Sequence, residues 1–207
     1  MDYRRSYRSA AVAYVDLVSR LPADRWDGPG LGEWTLRDLV GHTASSALRQ
    51  VPEALSAPAG EVVIGTAEGY FALARSVPQA VLGAARAASG ADARETGKAL
   101  GDNPAQAIGA LAGAATQALA AVGDDDIVTT PAGGMRVRDW LPTRTFELIV
   151  HGIDAALAAE IPHGFAEESV AVAAVLAART AIAVGDGEPL LRALTGRGEL
   201  PRGFSVV

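Results

Sequence analysis

The sequence predicts an all-α protein, and three observations carry that expectation. Ala, Gly, Leu and Val dominate a chain in which 49% of residues are apolar and only 5% aromatic. Such a mixture suits helices packed closely through small side chains. Apolar residues also recur at helical spacing between capping and breaking residues, as in "TLRDLVGHTASSALRQVPEAL" and "AQAIGALAGAATQALAAV". Convincing strand alternation, internal repeats and low-complexity segments are all absent.

In chain order, residues 2–20 form an amphipathic helix ended by Pro22 and the loop "LPADRWDGPGLGEW". Thr35 is a good N-cap with Asp38 in the capping-box position, so a second helix starts there, and Pro52 is expected to kink or end it. Residues 56–101 give helical pieces broken at Pro78 and Gly90. Asp102 or Asn103 before Pro104 opens a further helix that runs to Gly123. The acidic run Asp124–Asp126 reads as a solvated loop and "TTPAGGM" as a turn. A long helix follows from about Val137 to Glu160, then residues 166–184 form a last helix before the irregular tail "LTGRGELPRGFSVV". Four main helices thus make a bundle with an inserted helical segment and a C-terminal helical extension. Residues 1–160 are expected to form the bundle, and residues 161–207 a helix and tail packed on it.

Composition removes several function classes. A net charge of −6 opposes generic nucleic-acid binding, which needs a basic footprint. With no cysteine, the chain has no disulfide, no thiolate nucleophile and no Cys-based metal site of its own. The charged N-terminus lacks the long apolar core of an export signal, and no apolar run is long enough for a membrane span. A cytoplasmic protein without membrane or nucleic-acid partners is expected, as a monomer or homodimer. No G-x-S-x-G elbow, phosphate-binding loop, H-E-x-x-H helix or EF-hand loop is present.

The informative chemistry lies in "RTFELIVHGIDAA", residues 144–156. On an ideal wheel Trp140, Thr143, Arg144, Glu147, His151, Asp154 and Ala158 fall within an arc of about 100°. Leu141 and Leu148 flank that arc on one side, and Val150, Ile153 and Leu157 on the other. A narrow polar seam on an apolar helix is expected to face an internal cavity, because buried charges need partners. Glu147 and His151, at i and i+4, are spaced either as a hydrogen-bonded pair or as two ligands of one cation. His42, at the flank of the stripe Leu36, Leu39, Val40, Thr43 and Ala47, reads as a packing histidine or as a third ligand. His163 reads as a turn residue. Arg49, seven residues beyond His42, reads as a solvated arginine or as one facing the same pocket.

The segments "LGEWTLRDLVGHTA" and, about 100 residues later, "WLPTRTFELIVHGIDAALA" resemble the mycothiol-dependent maleylpyruvate isomerase family of the DinB-like metalloenzyme superfamily. The resemblance covers most of residues 1–160. It implies a DinB-like four-helix bundle holding a divalent metal, Zn2+ or else Ni2+ or Fe2+, through His42, Glu147 and His151, with Asp154 in an outer-shell or structural role. It further implies mycothiol, a low-molecular-weight thiol, as cosubstrate. Thiol addition to an activated double bond, rotation and elimination would give isomerisation of a small organic substrate, and addition alone would give S-transfer. Arg49 and Arg144 are the residues expected to bind an anionic substrate or thiol. Fully equipped isomerases of the family carry a second, C-terminal domain. Only about 45 residues follow the bundle here, which leaves the substrate open. Two other readings stay in play: a metal-dependent hydrolase or natural-product tailoring enzyme that uses no thiol, and a non-catalytic metal-binding helical module.

Overall fold

The computed structural model describes residues 2–57 and 60–207; Met1, Pro58 and Ala59 of the expected bundle lie outside them. Helix α1, Tyr3–Ser19, starts where the Asp2 carboxylate accepts from Arg5 N, and it buries Tyr7, Ala10, Ala11, Tyr14, Leu17 and Val18 at helical spacing. The following loop is tied by backbone bonds from Gly30 N to Trp34 O and from Leu36 N to Gly28 O, which delivers Trp34 to the start of the next helix. That helix, α2 (Leu36–Thr43), carries the expected capping box, with Thr35 and Asp38 bonding reciprocally at 3.1 Å.

Pro52 neither ends nor breaks the rod. The chain passes from α2 through a π-helical turn, Ala44–Arg49, into α3, Gln50–Ser56. Proline has no N–H to give the carbonyl four residues back, and the wide turn directly before it accommodates the irregularity. After α4, Ala67–Ala72, and a short 3-10 turn, α5 spans Gln79–Ala99 as one helix. The break expected at Gly90 is therefore corrected, whereas Pro78 does stand at the N-cap. Gly90 is buried beside Trp34, and docking of the helix outweighs the weak local propensity of glycine. Helix α6, Pro104–Ala120, begins at the Asn103 cap as expected.

The expected turn "TTPAGGM" is the tip of a small antiparallel hairpin, β1 (Ile127–Thr130) with β2 (Gly133–Arg136). Its strands are too short to show alternation, but the β-branched "IVTT" suits an extended chain. Thr130 Oγ1 accepts from Ala132 N and donates to Gly133 O, closing the turn, and Gly133 takes φ 116°, open to glycine. The long helix α7, Val137–Ala159, ends at Glu160 in a left-handed cap. Helix α8 spans Glu167–Ala183, but it is not the last: a further helix, α9 (Gly187–Leu194), stands between it and the irregular tail. Pro189 lies in its first turn, where a missing N–H costs nothing.

The bundle closes as α1 against α6 and α7, α2 against α7, and α6 against the π turn and α3. Tyr7, Tyr14, Leu17, Leu36, Leu39, Leu48, Trp140, Leu141, Leu148 and Ile149 fill its core, all fully buried. Helix α8 packs on α7, α4 and α1, α9 packs on α8, and α5 docks on the outside of α2. Among the described residues, no helix is long and apolar enough to cross a membrane.

The α2–α5 contact is backbone on backbone. A side-chain carbon on Gly41 would meet Ala93 O and lie 2.5 Å from Gly97 N, and one on Gly97 would lie 2.7 Å from Arg37 O. Gly41→Ala is expected to cost about 1–3 kcal/mol in denaturant unfolding, the scale of overpacking. Gly113→Ala, an α6 position with open space around it, is expected to gain about 0.5–1 kcal/mol from helix propensity. Equal effects from the two substitutions would contradict the close packing.

Candidate metal centre

The last turn of α2 and the middle of α7 bring three side chains together. Glu147 Oε2 lies 3.3 Å from His151 Nε2 and 3.6 Å from His42 Nε2. The two imidazoles meet edge to face, with ring centroids 4.9 Å apart and planes at 81°. His42, Glu147 and His151 each offer one donor atom within 4.8 Å of the others. Two ligands bound at about 2.1 Å to a tetrahedral ion stand about 3.4 Å apart, and the 3.3 and 3.6 Å separations match that edge. Two imidazole nitrogens and a carboxylate also form a ligand set suited to zinc with a coordination position left open. The residues present therefore fit such an ion. Their side chains keep 15–18% of their surface exposed, so the cluster is reachable from solvent.

Each imidazole is held from behind. His151 Nδ1 lies 3.2 Å from Asp154 Oδ2, and His42 Nδ1 lies 3.3 Å from Ser89 Oγ of α5. Trp34 leans on the His42 ring at a centroid distance of 4.8 Å. Burial pushes the Glu147 carboxyl upward, but the facing imidazoles of His151 and His42, and the charge of Arg144, hold it well below the usual carboxylate range. For His151, burial lowers the imidazolium while hydrogen bonds to Asp154 and Glu147, and their charges, raise it to about 9.

The two arginines stand apart from the trio. Arg144, 2% exposed, donates from Nη1 to Ser46 O (2.7 Å) and Gln50 Oε1 (2.8 Å) and from Nε to Thr143 Oγ1 (3.0 Å). Its guanidinium also sits over the rings of Tyr70 and Trp140. The N-terminal half of the seam is thus packed against the π turn, and the half from Glu147 to Asp154 opens outward. Leu157, expected at the seam's flank, is 71% exposed. Arg49 binds Asp92 of α5 at 2.6 Å and Ser45 Oγ at 2.7 Å, and Ser45 also donates to Asp92. His163 accepts from Phe165 N beyond the end of α7, away from the cluster. Sequence reasoning missed Trp34, Ser89 and Asp92 as neighbours of the site. For the two α5 residues the available signal was their i, i+3 spacing, hidden by the expected break at Gly90.

The protonation states give the metal-free protein a pH signature. His151, raised from 6.5 to about 9, contributes stability that is fully present below pH 6.5 and lost as pH rises through 9. Glu147, lowered from 4.5, contributes stability present above pH 4.5 and lost only in stronger acid. Denaturant unfolding in the presence of chelator is therefore expected to weaken from pH 6 to pH 10, with a smaller loss in His151→Gln. An identical slope in the two proteins would contradict the assignment.

Searches of curated proteins and of solved structures give no match to this chain. The family model described as the mycothiol maleylpyruvate isomerase N-terminal domain matches residues 7–156, a span that runs from α1 through the bundle to His151 and Asp154 on α7. This chain, an all-α DinB-like bundle, belongs to the mycothiol maleylpyruvate isomerase N-terminal domain family.

Proposed function

We propose that the protein is a divalent-metal-dependent enzyme, with His42, Glu147 and His151 as ligands of a zinc-class ion and mycothiol as cosubstrate, acting on a small electrophilic organic substrate. The observation that carries this reading is the convergence of two imidazole ε-nitrogens and one carboxylate from α2 and α7 at a solvent-reachable point. Bound there, such an ion supplies a Lewis-acid position that favours the ionised form of a thiol or water at neutral pH. The family membership favours the thiol over water. The chain has no cysteine, so any sulfur nucleophile has to enter as a ligand.

The protein's own residues then have separable tasks. Glu147 brings the negative charge that offsets a dication, and Asp154 accepts from His151 Nδ1–H, which aims Nε2 at the centre. Arg144 ties α7 to the π turn through Ser46 and Gln50, fixing the depth of the Glu147 turn in the bundle. Trp34 shields one face of His42 from water. Arg49, more exposed than Arg144 but paired with Asp92, is the arginine we assign to an anionic substrate or thiol. Addition of the thiol to a conjugated double bond, followed by its loss, gives isomerisation; addition alone gives S-transfer.

The metal half of this reading is tested by titrating chelator-treated protein with zinc. One ion per chain is expected, and His42→Ala, Glu147→Ala and His151→Ala are each expected to lose more affinity than the ~10–100-fold typical of outer-shell changes. Unchanged zinc content in those variants would sink it. The thiol half is tested by assaying metal-loaded protein on an α,β-unsaturated acid with and without mycothiol. Turnover that needs the thiol supports the proposal. Thiol-independent hydrolysis would replace it with the hydrolase reading, and zinc binding with no mycothiol uptake would favour a non-catalytic module.

A further inference from the structure

Helix α5 lies outside the four-helix frame, yet it touches the ligand set. Its face toward α2 is the row Ser89, Ala93, Gly97, spaced at i, i+4 and i+8. Ala93 and Gly97 let the α5 backbone close on Gly41 of α2, the neighbour of His42. One turn further along the row, Ser89 Oγ reaches His42 Nδ1 at 3.3 Å. The small residues of this face thus set the approach of the two helices, and that approach brings a hydroxyl to the rear of the imidazole.

We propose that Ser89 is the positioning residue for His42: its hydroxyl accepts from Nδ1–H, holding the tautomer whose Nε2 lone pair is free to bind an ion. This rests on the metal-binding reading above and deepens it by adding α5 to the centre. A neutral imidazole carries one donor and one acceptor nitrogen, and only the acceptor nitrogen can bind a cation. Without an ion the Glu147 carboxylate, 3.6 Å from Nε2, favours the proton on that nitrogen, whereas an ion binds Nε2 only when the proton sits on Nδ1. Trp34 against one side and the His151 ring at the edge restrict how the His42 ring can tilt. They do not distinguish its two nitrogens by hydrogen bonding, and Ser89 does.

The two histidines are held unequally. Asp154 is an acceptor-only group when ionised and so dictates Nδ1–H on His151. Ser89 both donates and accepts, so it holds His42 more weakly and makes this ligand the adjustable one. Its distance from Glu147 and from Asp154 in sequence places that adjustment on a separate helix, anchored to the frame through Gly41 and Gly97.

The test compares wild type, Ser89→Ala and Ser89→Thr, the last restoring a hydroxyl at the same position. Long-range 1H–15N correlation spectra of the zinc-loaded proteins report the His42 Nδ1–H proton and its exchange with water. Zinc affinity is read by competition with a chromophoric chelator. Wild type and Ser89→Thr are expected to show a slowly exchanging His42 Nδ1–H, and Ser89→Ala to lose that protection while the His151 signals stay in place. Zinc affinity of Ser89→Ala is expected to fall about 10–100-fold, as for other outer-shell losses, and to recover in Ser89→Thr. Unchanged exchange of the His42 Nδ1–H in Ser89→Ala overturns the proposal, even if affinity falls, because the loss would then come through packing. Should wild type bind no zinc, the metal reading fails by itself; zinc bound with equal affinity by wild type and Ser89→Ala refutes the role of Ser89 alone.

Discussion

A carboxylate mostly withdrawn from solvent on an apolar helix has to be compensated, and the structure around Glu147 is organised by that requirement. Removing one partner of a buried charge typically costs about 3–5 kcal/mol, a large part of the stability of a domain this size. Here compensation comes from three directions: His151 one turn along α7, His42 from α2, and the positive charge of Arg144 one turn before. Each of these partners is itself held by a further residue. The polar seam of α7 is therefore a chain of dependencies in which the position of Glu147 fixes the rest.

The frame serves this seam. The capping box at Thr35 sets where α2 starts, and hence which turn presents His42. The π turn Ala44–Arg49 offers Ser46 O to Arg144, so the irregular stretch of the rod lies where a buried guanidinium needs an acceptor. Helix α5 closes the outer side of α2 through glycine contacts and brings Ser89 and Asp92 to the same neighbourhood. Packing and electrostatics are thus coupled: the small residues that permit close helix approach also decide which polar groups can meet.

Much of this was legible in the sequence, and the parts that were not have physical reasons. Helices α1, α6 and α7 and the start of α2 follow from periodicity and caps, which are local signals. Glu147 and His151 were legible as a pair because i, i+4 spacing is also local. Continuity of α5 through Gly90 and of the α2–α3 rod through Pro52 depends on tertiary docking, which overrides the propensity of single residues. The hairpin strands of four residues are too short to leave a period. Helix α9 hides among glycines and Pro189. His42 was legible only as a packing histidine or a third ligand, and family resemblance tied it to the pair. Ser89, 47 residues from His42, meets it only through helix packing, which no local pattern encodes.

The proposed metal centre unites the seam of α7 with His42 of α2. Its most direct test is a crystal of zinc-loaded protein measured on both sides of the zinc absorption edge. One anomalous peak per chain is expected, bonded to His42 Nε2, His151 Nε2 and a Glu147 carboxylate oxygen, with at least one coordination position facing solvent. A zinc peak bound elsewhere, or a fully zinc-replete crystal with no density between these three side chains, would contradict it.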